Sequence, residues 1–416
     1  MYRFKNSNQS FLNIILLHVL ISSTVGFFVD KYTSEYGRFS ATSVPLASSE
    51  SSNNEIVSRS SVKQHPGVGW TDEKFASWIS EELANAPGRN TYPTIFDQAI
   101  DAIIKWRQRF RGNPAVWKRI FKKERVLKEL IESAPVLHSV QKFVSNYDES
   151  AGQTTEDGDN MITILDLCSG KGYLSMFLSE LLPPEKVKKI VLVDKAWAMC
   201  NSEVLPHHMN WDHIYGQIPQ EIRENQIPPI DDISYFTTWP IPLHTSKQDI
   251  KQSCNQRQMK KHFFNRTKGP ILVLAVHLCG TLSLRAVDFF NNNENVKMFC
   301  LKPCCLPGMV HAQRDEIFTI GRHSFPALDV CSNGSFTKNN WSGPPRWHLE
   351  KKFDLWSDNL YKGVDVGAEE ENSNENFQTG RKEKREIQIQ VDGGFQNTYL
   401  LAERNPLTAG LWNGEI

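Results

Sequence analysis

The chain has 416 residues, enough for one large domain or two of ordinary size. Hydrophobic residues make up 40% of the sequence and aromatic residues 11%, so a sizeable core can form. The 47 basic residues balance the 47 acidic residues, which excludes a strong overall field that would draw the whole protein to nucleic acid or membrane. Any electrostatic preference must therefore be local.

The first 65 residues have the composition of targeting segments. Arg3 and Lys5 precede a short apolar run and then small residues, which predicts a signal peptide over 1–26. Residues 27–65 are rich in serine and poor in acids, which is typical of a transit segment. This layout resembles the two-part presequence of algae with complex plastids. We therefore predict a plastid destination, with the secretory pathway as the alternative, and no stable membrane insertion after processing.

Residues 66–150 are predicted to form a helical region. Thr71 precedes acidic residues as a helix N-cap does, and apolar residues between Ile95 and Ile104 recur at helical spacing. The helical pattern continues towards Val144, although Pro135 is expected to break or kink it. Polar residues follow, which indicates a linker before the next region.

Residues 151–416 are predicted to form an α/β domain. Four short, continuous apolar runs, each followed by a helix-like stretch, are typical of parallel strands buried on both faces. These runs are 161–167, 188–194, 270–278 and 296–302. Two alternating runs around Asp392, Gly393 and Gly394 predict an antiparallel hairpin at the end of the sheet. The acidic segment 364–380 has few hydrophobic residues, which predicts a disordered insertion.

The first apolar run leads into the sequence DLCSGKG, which is a strand, a tight turn and the start of a helix. Lys171 lies between the two glycines, which excludes a phosphate loop of the GxxxxGK[ST] type. Ser175 stands where a dinucleotide-binding GxGxxG motif has its third glycine. A ligand at such a turn lies over the helix N-terminus, and Asp194 after the second strand can accept the hydroxyls of a ribose.

With this turn, the second acid and the terminal hairpin, the chain resembles the class I S-adenosylmethionine-dependent methyltransferases over about 161–403. The resemblance implies a Rossmann-like seven-strand sheet with a C-terminal antiparallel hairpin, here preceded by a small helical region, and S-adenosyl-L-methionine as cofactor. It places seven residues at the cofactor: Asp166, Cys168, Ser169, Gly170, Lys171, Gly172 and Asp194. Cys168 replaces the usual first glycine, so this turn must tolerate a side chain.

Two further motifs lie at the ends of the third and fourth apolar runs, H-x-C-G and P-C-C. The pair resembles a subgroup of class I enzymes that includes a tRNA ribose 2′-O-methyltransferase family. Ends of adjacent parallel strands lie ~5 Å apart, so the side chains there are expected to converge beside the reacting methyl group. The predicted catalytic residues are His277, Cys279, Cys304 and Cys305.

Several roles are open for this cluster. His277 is suited to act as a general base, and Cys304 or Cys305 as a covalent nucleophile. One histidine and up to three cysteines could also hold zinc, or the cysteines could only shape the pocket. Adjacent cysteines on a strand are expected to point to opposite faces, so both would rarely bind one ion. No metal ligand is therefore assigned, and the roles of base, nucleophile, metal ligand and pocket wall stay open for this cluster.

Ten basic residues and one acid lie between Lys105 and Lys128, interleaved with aromatic residues. Positive charge can bind phosphates and aromatic rings can stack on bases, so this segment is predicted to bind single-stranded RNA. The alternative is a helix whose basic side chains face solvent and whose aromatic rings pack into the core. A second candidate contact follows the fourth apolar run, in the segment that contains Arg346 and Trp347. The predicted substrate contacts are Lys105, Trp106, Arg107, Arg109, Arg111, Trp117, Lys118, Arg346 and Trp347.

The function predicted from these features is methylation of RNA, either tRNA or rRNA. An enzyme acting on a small molecule or protein is one alternative, favoured if the basic region packs inward. A catalytically inactive scaffold that binds the cofactor is the other.

Overall fold

The computed structural model describes residues 69–147, 160–199, 204–215, 239–333, 344–367, 380–389 and 397–404. The chain divides into two units, Met1–Val62 and Lys63–Ile416, and all described residues belong to the second. The predicted signal and transit segments lie outside the described residues, as does most of the predicted disordered insertion.

Helices precede the sheet, as the sequence predicted. They are α1 Asp72–Leu83, α2 Pro93–Arg109, α3 Pro114–Ile120 and α4 Lys123–Asn146. Thr71 caps α1, because its Oγ1 accepts a hydrogen bond from the backbone N–H of Lys74 at 3.2 Å. Pro135 lies inside α4 and does not end it. The turns of α4 around Pro135 are deeply buried, so tertiary packing holds this helix together against its local preference.

Seven strands form one mixed sheet in the order β3-β2-β1-β4-β5-β9-β8. Their bounds are β1 Ile162–Leu167, β2 Val187–Val193, β3 Leu243–Ser246, β4 Ile271–Cys279, β5 Val296–Cys305, β8 Arg381–Glu386 and β9 Thr398–Glu403. The first five are mutually parallel, and β9 runs antiparallel to both β5 and β8. The predicted parallel sheet and terminal hairpin are therefore confirmed, and β3 is a strand that the apolar pattern missed.

A two-stranded hairpin, β6 Ile317–Ile320 with β7 His323–Pro326, lies outside the main sheet. The remaining helices are α5 Tyr173–Leu181, α6 Asp212–Tyr215, α7 Ser253–Met259, α8 Leu282–Asn291, α9 Met309–Ala312, α10 Ala327–Val330 and α11 Arg346–Gly363. A π-helical turn at Lys260–Phe264 continues α7. No helix in the described ranges has both the length and the hydropathy that a membrane span requires.

The terminal hairpin starts earlier than its alternating pattern indicated. Its first strand is the charged segment Arg381–Glu386, and Ile387 continues it by donating its N–H to Asn397 O at 2.9 Å. The turn around Asp392 lies outside the described residues. Pairing with β9 accounts for a polar strand here, because backbone hydrogen bonds form whatever the side chains are.

The N-terminal helices pack on one face of the sheet, and α8 and α11 pack on the other. Two buried hydroxyls tie the helices to the sheet region. Tyr173 donates to Ile120 O at 2.6 Å, and Tyr399 of β9 donates to Glu132 O of α4 at 2.7 Å. The helical region is thus packed into the same unit as the sheet, beside the carboxyl ends of its central strands.

Candidate active site

The turn after β1 adopts a backbone conformation that favours glycine at three positions. Cys168, Gly170 and Gly172 have φ values of 56°, 53° and 82°. A Cβ added to Gly172 would clash with Leu192 of β2, so the turn approaches the neighbouring strand closely there. Cys168 therefore carries its side chain in a left-handed conformation, as the sequence of this turn required.

Asp194 follows β2 and fixes the same turn. Its carboxylate accepts hydrogen bonds from the backbone N–H of Gly170 at 3.1 Å and of Ala196 at 2.8 Å. This side chain therefore positions the glycine directly, and the ribose contact foreseen for it stays a prediction. Carboxylate oxygens have further lone pairs that can accept a ligand's hydroxyl groups as well.

Asp166 lies in β1 and is almost completely buried. Burial raises the pKa of its carboxyl group to about 7, and the neighbouring acids Asp194 and Glu129 add to the effect. A hydrogen bond from Ser175 Oγ at 2.7 Å opposes the shift. A buried carboxyl group of this kind is suited to a cationic ligand, because a positive charge beside it would stabilise its ionised form.

The two polar residues of the turn have partners within the protein. Ser169 Oγ accepts a hydrogen bond from Trp197 Nε1 at 3.3 Å. Lys171 Nζ donates to Arg119 O at 3.2 Å, and burial lowers the pKa of this lysine. Lys171 thereby links the turn to the end of α3.

His277 occupies a bulge near the end of β4. Val276 pairs with Lys302 of β5 and Leu278 with Pro303, which leaves His277 as an additional residue between two registered pairs. Its φ is 64°, a left-handed conformation that non-glycine residues rarely adopt. Such strain costs ~1–3 kcal/mol and is characteristic of functional sites. The bulge explains why His277 departs from the alternation of the strand.

Glu132 of α4 holds the imidazole of His277. Nε2 of His277 lies 2.7 Å from Glu132 Oε2 and 3.5 Å from Glu129 Oε2. Burial alone would lower the pKa of His277, but the two carboxylates outweigh it and raise the pKa. The imidazole is thus a stronger base than one in water.

Lys302 of β5 completes a buried charged group with this pair. Its side chain is fully buried, and its Nζ lies 3.8 Å from Glu132 Oε1. Burial alone would raise the pKa of Glu132, but His277 and Lys302 outweigh it and lower the pKa to about 2. Glu132 therefore stays ionised between two basic side chains.

Three cysteines converge where β4 and β5 end. Sγ of Cys279 lies 3.1 Å from Sγ of Cys304 and 3.4 Å from Sγ of Cys305, and the last two are 3.6 Å apart. The expectation that Cys304 and Cys305 point to opposite faces is wrong. Leu278 pairs with Pro303 and Cys279 with Cys305, so Cys304 is the additional residue of a second bulge and the alternation is lost there.

A cleft of about 440 Å³ lies between the turn, β4 and α4. This volume falls within the ~300–1,000 Å³ typical of small-molecule sites. The turn contributes Asp166 and residues 168–171, and β4 contributes Val276 and His277. Helix α4 contributes Arg125, Lys128, Glu129 and Ser133. The sequence thus predicted the two sheet walls, whereas the three cysteines lie beyond His277 and do not line this cleft.

The aromatic rings of the basic segment mostly turn to the core. Trp106 is fully buried, 4.6 Å between ring centroids from Phe177 of α5, so its ring is not exposed to a base. Trp117 is half-buried and stacks on Phe121 with centroids 4.8 Å apart. Helix α2 places its apolar side chains on the face packed against α1, α4 and α5, which is the alternative that the sequence left open.

The basic side chains of α2 have acidic partners. Arg107 contacts Asp72, as does Arg111 two residues beyond the end of α2. Arg109 Nη2 lies 2.6 Å from Glu180 Oε1, and Lys105 Nζ lies 3.8 Å from Glu180 Oε2. These pairs hold α2 to α1 and α5. Their positive charge is partly neutralised before any ligand arrives.

The other predicted contacts are exposed. They are Lys118 on α3 and Trp347 at the start of α11, a residue that is 66% exposed. Arg346 is the first residue of α11. Among the described side chains, no contact brings Lys118 or Trp347 to the cleft, and the side chain of Arg346 lies outside the described part of the chain. The role of these residues in substrate binding stays a prediction.

Three charged residues at or behind the cleft are not apparent from the sequence: Glu129 lines the cleft, and Glu132 and Lys302 lie behind His277. Glu129 and Glu132 lie three residues apart on α4, which gives them one helix face, but nothing in their surroundings indicates a partner at His277. In the sequence, Lys302 stands at the end of an apolar run, between Leu301 and the P-C-C motif. An isolated lysine in a buried strand needs a counter-charge, so this position could have indicated an acidic partner.

Part of the chain is similar to a known protein family. Residues 136–311 match a family model described as a methyltransferase domain. The match runs from the middle of α4 past β5 and so includes the turn, the β4 bulge and the cysteines. Together with the seven-strand mixed sheet, it fits a class I methyltransferase. No curated protein matches the chain.

Proposed function

We propose that this protein is an S-adenosylmethionine-dependent methyltransferase that acts on RNA, with the cofactor in the cleft beside the β1 turn. The observation that carries the proposal is the combination, in one cleft, of the acid-and-glycine turn with exposed basic residues of α4. The turn suits the cofactor, and the basic wall suits a phosphate-bearing substrate. The family match supports the methyltransferase activity.

The residues present fit this cofactor. A Cβ added to Gly170 would meet no protein atom within 4 Å, so the backbone there leaves open space for a ligand. The buried carboxyl group of Asp166 favours a cation, and the cofactor carries both an ammonium and a sulfonium group. When bound, the cofactor supplies a methyl group already activated by its positive sulfur. We assign to Asp166 and the backbone of Gly170 the task of holding and orienting it.

The proton balance of the reaction gives His277 a role. A hydroxyl or amine nucleophile must lose a proton as it accepts the methyl group. Nε2 of His277 lies 2.7 Å from Glu132 Oε2, so a neutral imidazole that keeps its proton on Nε2 would place that proton beside the carboxylate and leave Nδ1 as the basic nitrogen. We therefore propose that His277 accepts the proton of the substrate and that Glu132 fixes its tautomer and raises its basicity.

The basic wall supports a polyanionic substrate. Arg125 and Lys128 line the cleft and are exposed, and Lys122 lies one turn earlier on the exposed surface. Positive charge from Arg125 and Lys122 also reaches the glycine turn, where it lowers the pKa of Lys171. Phosphate groups of RNA would be attracted to this rim.

Methyl transfer to cell fractions tests the proposal. The purified full chain would be incubated with methyl-tritiated S-adenosylmethionine and with unmodified RNA, protein or small-molecule fractions of the source cells. We expect label in the RNA fraction that ribonuclease removes. Label that resists ribonuclease and appears only in protein or small molecules would contradict the RNA substrate and leave the methyltransferase activity in place.

A matched pair of variants tests the basic wall. Arg125→Ala should raise the KM for RNA several-fold, because it removes a charge from the cleft. Arg322→Ala, which removes an exposed arginine from the β6–β7 turn, should leave KM unchanged. Equal effects of the two substitutions would show that the wall does not bind RNA.

A methyltransferase acting on a small molecule or protein is the second candidate. The inward packing of Trp106 and the pairing of Arg109 with Glu180 favour it, because they remove stacking surface and charge from the predicted RNA contact. The fractionation experiment separates this candidate from the first.

A further inference from the structure

The three cysteines at the ends of β4 and β5 form a compact group of sulfur atoms separate from the cleft. All three Sγ–Sγ distances lie between 3.1 and 3.6 Å. None of the three residues forms a disulfide. Two bulges lie at this end of the paired strands, one at His277 of β4 and one at Cys304 of β5, and the second places both Cys304 and Cys305 beside Cys279. Regular strands would have separated them.

We propose that Cys279, Cys304 and Cys305 bind a thiophilic divalent cation, and that Zn²⁺ is the ion they select. In a tetrahedral site the metal–sulfur distance is ~2.3 Å, which holds neighbouring sulfurs about 3.8 Å apart. The observed distances of 3.1, 3.4 and 3.6 Å are shorter than that value by less than 1 Å, so side-chain rotations that spread the sulfurs would complete the site. Thiolate ligands favour Zn²⁺ over Mg²⁺ or Ca²⁺, which prefer oxygen.

The surroundings suit a metal site. The ligands lie on two hydrogen-bonded strands of the central sheet, which fixes their backbone positions. Cys304 is buried whereas Cys279 is exposed, so an ion can reach the group from solvent. Each thiol that coordinates the ion loses its proton to solvent, and the new metal–sulfur bonds replace the thiol contacts. Three protein ligands leave one tetrahedral position for water or a substrate atom.

This inference is independent of the methyl-transfer proposal, because it depends on the sulfur geometry alone. The test starts from the reduced full chain, stripped of metal with a chelator that is then removed. Zn²⁺ is added and the protein is desalted, and the zinc retained per chain is measured by elemental analysis. We expect the wild type to retain about one zinc ion per chain, and Cys304→Ser and Cys279→Ser to retain no more zinc than the blank. The matched control Cys254→Ser, which replaces an exposed thiol on α7, should retain as much zinc as the wild type.

Thiol labelling of the unmodified chain gives a second readout that needs no variant. Zn²⁺ should slow alkylation of Cys279 by iodoacetamide at least tenfold, measured by peptide mass spectrometry, while Cys254 reacts at its former rate. The proposal is overturned if the wild-type protein retains no zinc above the blank. It is also overturned if the cysteine variants retain as much zinc as the wild type, or if the alkylation rate of Cys279 is insensitive to Zn²⁺.

Discussion

The buried charged group around Glu132 makes a quantitative prediction about stability. The folded protein lowers the pKa of this carboxyl group from 4.5 to about 2, which corresponds to roughly 3 kcal/mol at 1.36 kcal/mol per pKa unit. Because the folded pKa is depressed, this contribution is present above pH ~4.5 and is lost as pH falls towards 2. Glu132→Gln should therefore destabilise the protein by about 3 kcal/mol at pH 7, since it also leaves Lys302 buried without its counter-charge.

Urea unfolding of the full chain at pH 7 measures this change. Glu124→Gln is the matched control, because it removes an exposed carboxylate from the first turn of the same helix and should change stability by less than about 0.5 kcal/mol. The double variant Glu132→Gln/Lys302→Met should be more stable than the sum of its single changes predicts, because it removes both buried charges. Additive effects, or a midpoint unchanged in Glu132→Gln, would refute the assignment of a buried ion pair.

Three further outcomes follow from the site. The affinity for S-adenosylmethionine should fall as pH drops through about 7, because Asp166 becomes protonated. Asp166→Asn should bind the cofactor more weakly and without this pH dependence. Titration calorimetry between pH 6 and 8 measures both, and an affinity of the wild type that does not change with pH would contradict the prediction. Cys168→Gly should raise the free energy of unfolding by about 1 kcal/mol, because glycine adopts a φ of 56° without strain. A free energy of unfolding below that of the wild type, measured with urea, would mean that packing of the thiol outweighs the strain. His277→Ala should lower kcat about 100-fold or more without changing cofactor affinity, and an unaltered kcat in a single-turnover assay would exclude a general base.

The sheet was predictable from the sequence because its central strands are buried on both faces. β1, β2, β4 and β5 appear as continuous apolar runs, and this signal depends on no distant contact. β3 was missed because its four residues, LHTS, contain only one strongly apolar side chain. Its strand character comes from pairing with β2, which a local pattern does not reveal.

The site was predictable only in part. The turn from Asp166 to Gly172 is contiguous in sequence, so its motif could be read directly. The contact between Glu132 and His277 joins residues far apart in the chain, and it depends on how α4 packs on the sheet. The sequence predicted that the cysteines meet at the strand ends, but not that Cys304 and Cys305 face the same way. That orientation depends on a bulge, which the strand pattern does not indicate.

The burial of Trp106 was predictable from the spacing of the apolar residues in α2. Ile103, Trp106 and Phe110 are spaced by three and four residues, which is the spacing of one helix face, and all three are buried. The charges interleaved with them lie on other faces of α2 and pair with Asp72 and Glu180. Periodicity therefore favoured a core face over an aromatic binding surface at these positions.

The most direct test of the account is equilibrium binding of S-adenosylmethionine to the full chain, measured by isothermal titration calorimetry. We predict saturable binding of one molecule per chain, and a large loss of affinity in Gly172→Ala, whose added Cβ would clash with Leu192 and distort the turn. Gly112→Ala, which adds a Cβ in open space, should bind like the wild type. A folded wild-type protein that does not bind the cofactor, or a Gly172→Ala variant that binds it unchanged, would contradict the placement of the cofactor at this turn.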